Sequence, residues 1–299
     1  MPKTAKPFHI LSIDGGGIRG VYPATILARL SQEIDSPILS QFDLLVGTST
    51  GAVIVACLAI GKTPEEILNL YMNDGPGVFT LRQRSGYGSL KSYYDTSHAR
   101  EILRKFLGSA TLADAQIPVA FPVINVVQAE GRLFTSWSHP EQSLVDVVTA
   151  SAAAPYYFDP EPIDGQLFVD GGLWANNPGL AAYASAIGDL GIAAKRIRLL
   201  SLGTGYRKQY FSSDERLGKS WGLIHWHPSQ FIKMLVESQA YGAEDLLRKL
   251  LPDSQHLRVN YVDEQLPPIN AYQKIDMFRD RGNRSFDEYR TAILALLSK

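Results

Sequence analysis

Residues 47–51 read Gly-Thr-Ser-Thr-Gly and constrain the fold of this chain more than any other segment. An apolar run over residues 42–46 precedes them and an apolar segment over residues 51–60 follows, which predicts a strand, a tight turn and a helix. Such a turn lifts Ser49 clear of the backbone, and Gly47 and Gly51 allow neighbouring chain to approach closely. The helix N-terminus favours negative charge that develops at the serine. Ser49 is therefore a candidate nucleophile; the alternative is an ordinary glycine-lined turn whose hydroxyl caps the helix.

A second glycine-rich segment follows the first predicted strand. Residues 8–13 lead into Asp14-Gly15-Gly16-Gly17, and a helical pattern over residues 21–34 comes next. A capping box that starts at Thr63 predicts a further helix to about residue 72. This alternation predicts an α/β fold, with a mostly parallel central sheet sandwiched between helices in three layers.

The remainder of the chain continues the mixed pattern. We expect a basic surface loop over residues 75–94, a hairpin turn at Glu130-Gly131, and a final helix capped by Ser285. Further helices are predicted at 97–107, 144–154, 180–187 and within 217–251, and further strands at 119–128, 132–137, 167–169, 197–202 and 256–262.

Composition limits the classes of protein that remain. With 299 residues, 45% of them hydrophobic, and no linker or repeat, we expect a single domain over residues 1–299. The formal net charge of −1 argues against binding to a nucleic acid polymer. Cys57 is the only cysteine, so neither an intramolecular disulfide nor a cysteine-rich metal site can form. Residues 1–7 do not resemble a signal peptide, and no apolar run is long enough to span a bilayer, so we expect a cytoplasmic protein.

Two functions are open to the loop that follows Asp14. The backbone N–H groups of Gly15, Gly16 and Gly17 could converge on an oxyanion. The same residues, with Gly20, also fit the spacing of a dinucleotide-binding loop. That second interpretation needs an acidic residue after the next strand, and the candidates Asp35 and Asp43 lie before the second strand and inside it.

The base that would activate Ser49 is not an obvious histidine. The chain has six histidines, and the late ones, His225, His227 and His256, do not follow a strand end with glycine neighbours. Asp170 does, since it ends an apolar run and precedes Gly171-Gly172. Burial can raise the pKa of a carboxylate enough for it to act as a base. A Ser49–Asp170 dyad is therefore possible, and the alternative for Asp170 is a simple Asp-Gly turn.

The residues described above, in this order, resemble the three signatures of the patatin-like phospholipases. Residues 150–155 (Ala-Ser-Ala-Ala-Ala-Pro) and 176–178 (Asn-Asn-Pro) agree as well, so the resemblance covers about residues 8–205. It implies that Ser49 is the nucleophile and Asp170 the base, and that the oxyanion loop consists of Gly15, Gly16, Gly17 and Arg19. It also implies hydrolysis of fatty acyl esters in membrane phospholipids, without a metal or another cofactor. Residues 206–299 match no signature and are expected to form a mostly helical part of the same domain.

The Gly-Pro-Gly-Val-Phe stretch at residues 75–79 resembles a bacterial subgroup of these enzymes. That resemblance implies activation by a cyclic nucleotide in antiviral defence, and assembly into a homo-oligomer. The alternatives from other classes are a nucleotide-binding regulator and a catalytically silent lipid-binding protein.

Several residues have two possible roles. Arg19 could bind an oxyanion or a headgroup, or it could hold the glycine loop in place. The aromatic residues 221–232 could form a lid or meet the inner membrane peripherally, or they could pack in the core. Four basic residues could bind anionic lipid headgroups or could simply be solvated: Arg82, Arg84, Lys91 and Arg100.

Overall fold

A computed structural model describes residues 6–79, 92–207 and 228–298 of the chain. Within these ranges eight strands form one sheet. In chain order they are β1 (Phe8–Ile13), β2 (Leu44–Gly47), β3 (Val119–Asn125), β4 (Glu130–Thr135), β5 (Glu161–Ile163), β6 (Gln166–Asp170), β7 (Ile197–Leu202) and β8 (His256–Val259).

Strand β1 lies in the middle of the parallel part of the sheet. Its last residue, Ile13, is opposite Gly47 of β2 on one side and Leu202 of β7 on the other. Next to these strands, β3 pairs in parallel with β2, and β8 pairs in parallel with β7. The chain thus winds outward from β1 first in one direction and later in the other. The carboxyl end of β1 is therefore a topological switch point, the place where open α/β sheets bind ligands.

Strand β3 changes its partner partway along one edge. Val46 of β2 is opposite Ala120, in a parallel pair, whereas Asp170 of β6 is opposite Val123, in an antiparallel pair. Strand β4 covers the other edge of β3. The carboxyl ends of β2 and β6 consequently point toward each other, and only a short stretch of β3 separates them. This arrangement brings the turn after β2 close to Asp170.

Helices cover both faces of the sheet and give the fold three layers, as predicted. In chain order they are α1 (Val21–Glu33), α2 (Thr50–Ala59), α3 (Pro64–Asn73), α4 (Gly75–Val78), α5 (Thr96–Leu107), α6 (Leu144–Ser151), α7 (Gly172–Ala175), α8 (Gly179–Gly188), α9 (Pro228–Leu250) and α10 (Ile275–Leu297). In the ranges that the structure describes, no helix combines the length and the apolar character that crossing a membrane requires.

The two faces of the sheet bury separate apolar cores. Leu11 and Leu45 point into the larger core, which α1, α2, α3, α5, α6 and α10 complete. Their neighbours Ile10 and Leu44 point into the smaller core, which α8 and α9 cover. Because both faces are covered, the parallel strands are apolar at consecutive positions rather than at alternating ones.

The predicted position of the β3–β4 turn is wrong. The turn occupies residues 126–129, because Glu130 and Gly131 already pair with β3. The side-chain oxygen of Asn125 accepts the N–H groups of Val127 and Gln128, which closes the turn several residues earlier than its sequence suggests.

Other boundaries differ as well. The last helix begins at Ile275, and Ser285 is buried in its interior instead of capping it. Residues 75–78 form the short helix α4 where a loop was expected, α6 ends at Ser151, and β5 was not predicted. Most of the predicted basic loop and of the aromatic segment, at residues 80–91 and 221–227, lies outside the described residues.

Gly282 marks a close contact between α10 and α1. A Cβ at this position would lie 2.7 Å from the Cβ of Thr25 and 2.8 Å from the carbonyl oxygen of Tyr22. We therefore expect Gly282→Ala to lower the free energy of unfolding by about 1–3 kcal/mol through overpacking. Gly242→Ala on α9 is the matched control, since no heavy atom lies within 4 Å of its Cβ position, and it should add up to about 1 kcal/mol. Urea unfolding measures both, and an unchanged or raised stability of Gly282→Ala would contradict this packing.

Candidate active site

Ser49 lies on the sharp turn between β2 and α2. Its φ of 55° and ψ of −118° fall in a region that residues with a side chain rarely adopt. A Cβ at Gly47 would overlap the carbonyl oxygen of Gly51, and a Cβ at Gly51 would overlap that of Ile13. Close backbone packing therefore requires both glycines, which is the physical reason for the motif.

Asp170 is the last residue of β6 and is buried. Its Oδ1 accepts the N–H of Gly172 at 2.7 Å. Burial raises the pKa of Asp170 to about 6, although this hydrogen bond and the nearby hydroxyl of Ser49 oppose the rise. The structure thus places the side chain of Ser49 near the carboxylate of Asp170. At neutral pH most of this carboxylate is ionised, and it is more basic than an exposed one.

The glycine loop after β1 lies against Ser49. A Cβ at Gly15 would be 3.2 Å from the Cβ of Ser49. The N–H of Gly15 donates to the carbonyl oxygen of Asn176 at 3.0 Å, so Gly15 cannot be the oxyanion donor that the resemblance implied. By contrast, the N–H groups of Gly16 and Gly17 donate to no acceptor among the described residues. The donors that this loop can offer to an anion are therefore these two.

Arg19 is buried and holds the loop in place. Its Nε donates to the carbonyl oxygen of Gly16 at 3.2 Å. Of the two roles left open by the sequence, this contact favours the structural one. Among the basic residues, Arg100 forms ion pairs with Asp146 and Glu161, which ties α5 to α6 and β5 and disfavours a headgroup role. Residues 82, 84 and 91 lie outside the described residues.

Asp14 forms an ion pair that the sequence did not predict. Its carboxylate pairs with both Nη atoms of Arg258 on β8, with 2.7 Å between Nη1 and Oδ1. Asp43, a candidate for recognising a ribose, instead accepts the backbone N–H of His9 at 2.8 Å. Asp43, one of the two acidic candidates, is thus used within the fold, which disfavours the dinucleotide-binding interpretation.

An apolar cavity opens beside Ser49. It spans about 880 Å³ when the open solvent at its mouth is included. Helices α2 to α5 and the segment that follows α6 supply its wall, whose members include Val53, Leu70, Ile102 and Phe158. A cavity lined almost entirely by hydrocarbon favours an apolar ligand group next to the serine.

Neither a histidine nor a metal cluster accompanies Ser49 in the part of the chain that the structure describes. His256 lies on β8 with its Nε2 3.6 Å from Glu244, and residues 225 and 227 lie outside the described ranges. No group of three or more His, Cys, Asp and Glu side chains within those ranges could hold a metal ion.

Three supporting residues were missed at the sequence level. Thr204 donates to the carbonyl oxygen of Gly15 at 2.6 Å, and Arg258 and Ser151 contact the loops that carry the site. Only Ser151 had a sequence signal, because it lies in the segment 150–155 that contributed to the resemblance.

Comparison with known proteins identifies the family of this chain. The sequence profile described as "Patatin-like phospholipase" matches residues 11–183, which is more than half of the chain and includes the glycine loop, Ser49 and Asp170. The chain is 29% identical over 296 residues to a cGAMP-activated phospholipase of Pseudomonas aeruginosa, covering 93% of this chain and 87% of that protein. It is also 29% identical over 294 residues to a cUMP-AMP-activated phospholipase of Escherichia coli, with coverages of 93% and 90%. Patatin-like protein 2 of Arabidopsis thaliana is 27% identical over 286 residues, with coverages of 80% and 70%. On the strength of the profile match, the chain belongs to the patatin-like phospholipase family.

Proposed function

We propose that this protein is a lipid acyl hydrolase of the phospholipase A type and that Ser49 and Asp170 form its catalytic dyad. The observation that carries the proposal is the position of the Ser49 side chain, on a strained turn, near a buried carboxylate whose pKa is about 6. A base with this pKa is ionised at neutral pH and matches the task of taking a proton from a serine as it attacks.

In the first half of the reaction, the Oγ of Ser49 forms a bond to the acyl carbonyl carbon and its proton passes to Asp170. The N–H groups of Gly16 and Gly17 donate to the resulting oxyanion; a donor of this kind contributes about 3–4 kcal/mol in known cases. When the intermediate collapses, the bond to the alcohol oxygen breaks. The departing lysophospholipid takes the proton from Asp170, and Ser49 remains acylated.

In the second half, water attacks the acyl-enzyme and gives its proton to Asp170. Collapse of this second intermediate breaks the bond to Ser49, whose oxygen recovers the proton, and a free fatty acid leaves. The two halves use the same base and the same amides, so no further group is needed.

The apolar cavity binds the fatty acyl chain. It begins at Ser49 itself and continues past Val53, one helical turn further along α2, toward Ile102 on α5. Burying an acyl chain there contributes about 0.8 kcal/mol for each methylene removed from water. That gain supports esters of fatty acids, rather than short polar esters, as the substrates.

A cytoplasmic location with peripheral membrane contact completes the substrate side of the proposal. The β3–β4 turn continues β3 beyond the position opposite Asp170, at the edge of the sheet where the dyad lies. It exposes Val126 and Val127, with 40% and 74% of their surface accessible, next to Leu167 at 41%. Because Asn125 fixes the turn through hydrogen bonds, these apolar side chains are held outward. An apolar projection that continues β3 beyond the dyad supports contact with the bilayer that contains the substrate.

Regulation by a cyclic nucleotide, in a homo-oligomer that acts in antiviral defence, is the remaining part of the proposal. It is supported by the two bacterial relatives, which are named as activated by cGAMP and by cUMP-AMP.

The polar cavity between α9 and the glycine loop is a poor phosphate site. Its wall contains more carboxylates than guanidinium groups, namely Asp14, Glu237, Glu244 and Asp245 against Arg248 and Arg258. Light scattering with and without cGAMP tests the assembly.

The dyad has a specific pH dependence. Since Asp170 must be ionised to accept a proton and its pKa is about 6, kcat/KM for a soluble ester should rise as the pH rises through about 6. Ser49→Ala should remove hydrolysis, and Asp170→Asn should lower kcat about 10²–10⁴-fold. The assay is p-nitrophenyl ester hydrolysis and fatty-acid release from phospholipid vesicles, each with and without cGAMP or cUMP-AMP. Wild-type rates in both variants would exclude the dyad, and a midpoint near pH 4 would contradict the buried base.

Filling the apolar cavity should shorten the acyl chains that the protein accepts. Val53→Trp should reduce kcat/KM for palmitoyl esters at least about tenfold, since the chain loses the space beside Ser49, and should spare acetyl esters. Val53→Ala serves as the control variant and should keep activity on long chains. The ratio of palmitoyl to acetyl ester hydrolysis is the measurement, and the same ratio in all three proteins would contradict acyl binding here.

Removing the exposed apolar tip should weaken vesicle binding without affecting the dyad. Val127→Ser should reduce both sedimentation with phosphatidylcholine–phosphatidylglycerol vesicles and hydrolysis of their lipids by a few-fold, and should leave soluble ester hydrolysis unchanged. Ile187→Ser is the matched control: Ile187 is 38% exposed near the end of α8, which leads to the start of β7 at the opposite edge of the sheet. Equal losses in the two variants would contradict a specific lipid contact.

A further inference from the structure

The segment that follows α6 contacts both members of the proposed dyad. Helix α6 ends at Ser151, and residues 152–154 continue in irregular structure beside the apolar cavity. These residues take no part in the proposed mechanism. They nevertheless form hydrogen bonds with the backbone of Ser49 and of Asp170.

Ser151 is completely buried, and its hydroxyl makes two hydrogen bonds. Its Oγ accepts the backbone N–H of Ser49 at 3.1 Å and donates to the carbonyl oxygen of Pro122 at 2.7 Å. The hydroxyl therefore connects the nucleophile's own backbone to the middle of β3.

Pro122 occupies the point where β3 changes partner. Ala120 still pairs with β2 and Val123 already pairs with β6, so the carbonyl of Pro122 faces the gap between those two strand ends. A proline has no N–H to satisfy, and its remaining carbonyl needs one donor. The hydroxyl of Ser151 supplies this donor in place of a neighbouring strand.

The same gap is bounded by the chain around Asp170. The N–H of Asp170 donates to the carbonyl oxygen of Ala153 at 3.1 Å. A Cβ at Gly171 would overlap the carbonyl oxygen of Pro122, so the backbone beyond Asp170 packs directly on the group that Ser151 binds. Two neighbouring residues, Ser151 and Ala153, thus hold the backbone of the serine and of the carboxylate.

Ser49 needs such a support more than an ordinary residue does. Its φ of 55° is an unfavourable conformation that persists only where surrounding contacts maintain it. A hydrogen bond to the backbone N–H of Ser49 can maintain this conformation, and the acceptor of that N–H is the hydroxyl of Ser151.

We propose that Ser151 is a positioning residue for the reaction, whose hydroxyl fixes the backbone of Ser49 relative to Asp170 across the gap in the sheet. This inference rests on the proposed function, since it assigns Ser151 a role in reactivity only if Ser49 is the nucleophile. Ser151 itself does not line the apolar cavity in which the acyl chain is proposed to bind. Loss of the hydroxyl should consequently change kcat and leave KM for a soluble ester unaltered.

The test compares Ser151→Ala and Ser151→Cys with the wild type. The rates of Ser49 labelling by a fluorophosphonate probe and of p-nitrophenyl butyrate hydrolysis are measured with and without cGAMP. A displacement of about 1 Å can cost about 10²-fold in rate, so Ser151→Ala should label and turn over about 10- to 100-fold more slowly at unchanged KM. The thiol of Ser151→Cys is a weak donor and acceptor and should restore part of the rate.

Ser12→Ala is the matched control, because Ser12 is a buried serine of β1 whose hydroxyl has no hydrogen-bond partner among the described residues. It should label at the wild-type rate. Thermal unfolding of every variant separates loss of fold from loss of reactivity, and if Ser151→Ala does not fold, Ser151→Cys decides the question. A folded Ser151 variant that labels as fast as the wild type overturns the inference. Failure of the wild type itself to be labelled at Ser49 overturns the proposed function instead.

Discussion

The change of partner along one edge of β3 is the constraint on which the site depends. If β2 and β6 paired with different strands, the turn after β2 and the end of β6 would lie at separate places on the sheet. Because both pair with the same edge of β3 and run toward each other, Ser49 and Asp170 meet in a gap only a few residues long. The close packing at Gly47, Gly51 and Gly171 follows from this geometry. At each of these glycines a Cβ would overlap a backbone carbonyl oxygen of a neighbouring segment.

The proposed base and the proposed oxyanion donors differ in how far the fold satisfies their hydrogen bonds. Burial raises the pKa of Asp170, which makes the carboxylate a better base, but a further rise would leave it protonated at neutral pH. The hydrogen bond from Gly172 and the nearby hydroxyl of Ser49 keep the pKa near 6 by stabilising the ionised form. By contrast, the amides of Gly16 and Gly17 have no protein acceptor among the described residues. In the proposed mechanism these two donors are therefore free to bind the charge that develops in the intermediate.

Local chemistry in the sequence was sufficient to predict the elements that carry the site. A glycine-flanked serine between two apolar runs and an aspartate at a strand end before two glycines gave the two elements and the fold class. Features that depend on distant contacts were not predictable. The pairing of Asp14 with Arg258 joins residues from opposite ends of the chain, and the N–H of Gly15 is used by Asn176, which also lies far along the chain. The early β3–β4 turn is a different case: it is a local feature that was missed, because the side chain of Asn125 closes it through hydrogen bonds to Val127 and Gln128.

The part of the chain without a recognisable signature still supports the loop that the signatures contain. Arg258 binds Asp14, and the carbonyl oxygen of Ile269 accepts the N–H of Ile18 at 2.8 Å. The side chain of Gln239 on α9 accepts the N–H of Asn176 at 2.8 Å, and the carbonyl oxygen of Asn176 accepts the N–H of Gly15. Arg258, Ile269 and Gln239 all lie beyond residue 205, where the sequence resemblance ends. Removing these residues would leave a buried carboxylate unpaired and the glycine loop without these supports, so the signature-free part of the described chain is needed for the geometry of the site.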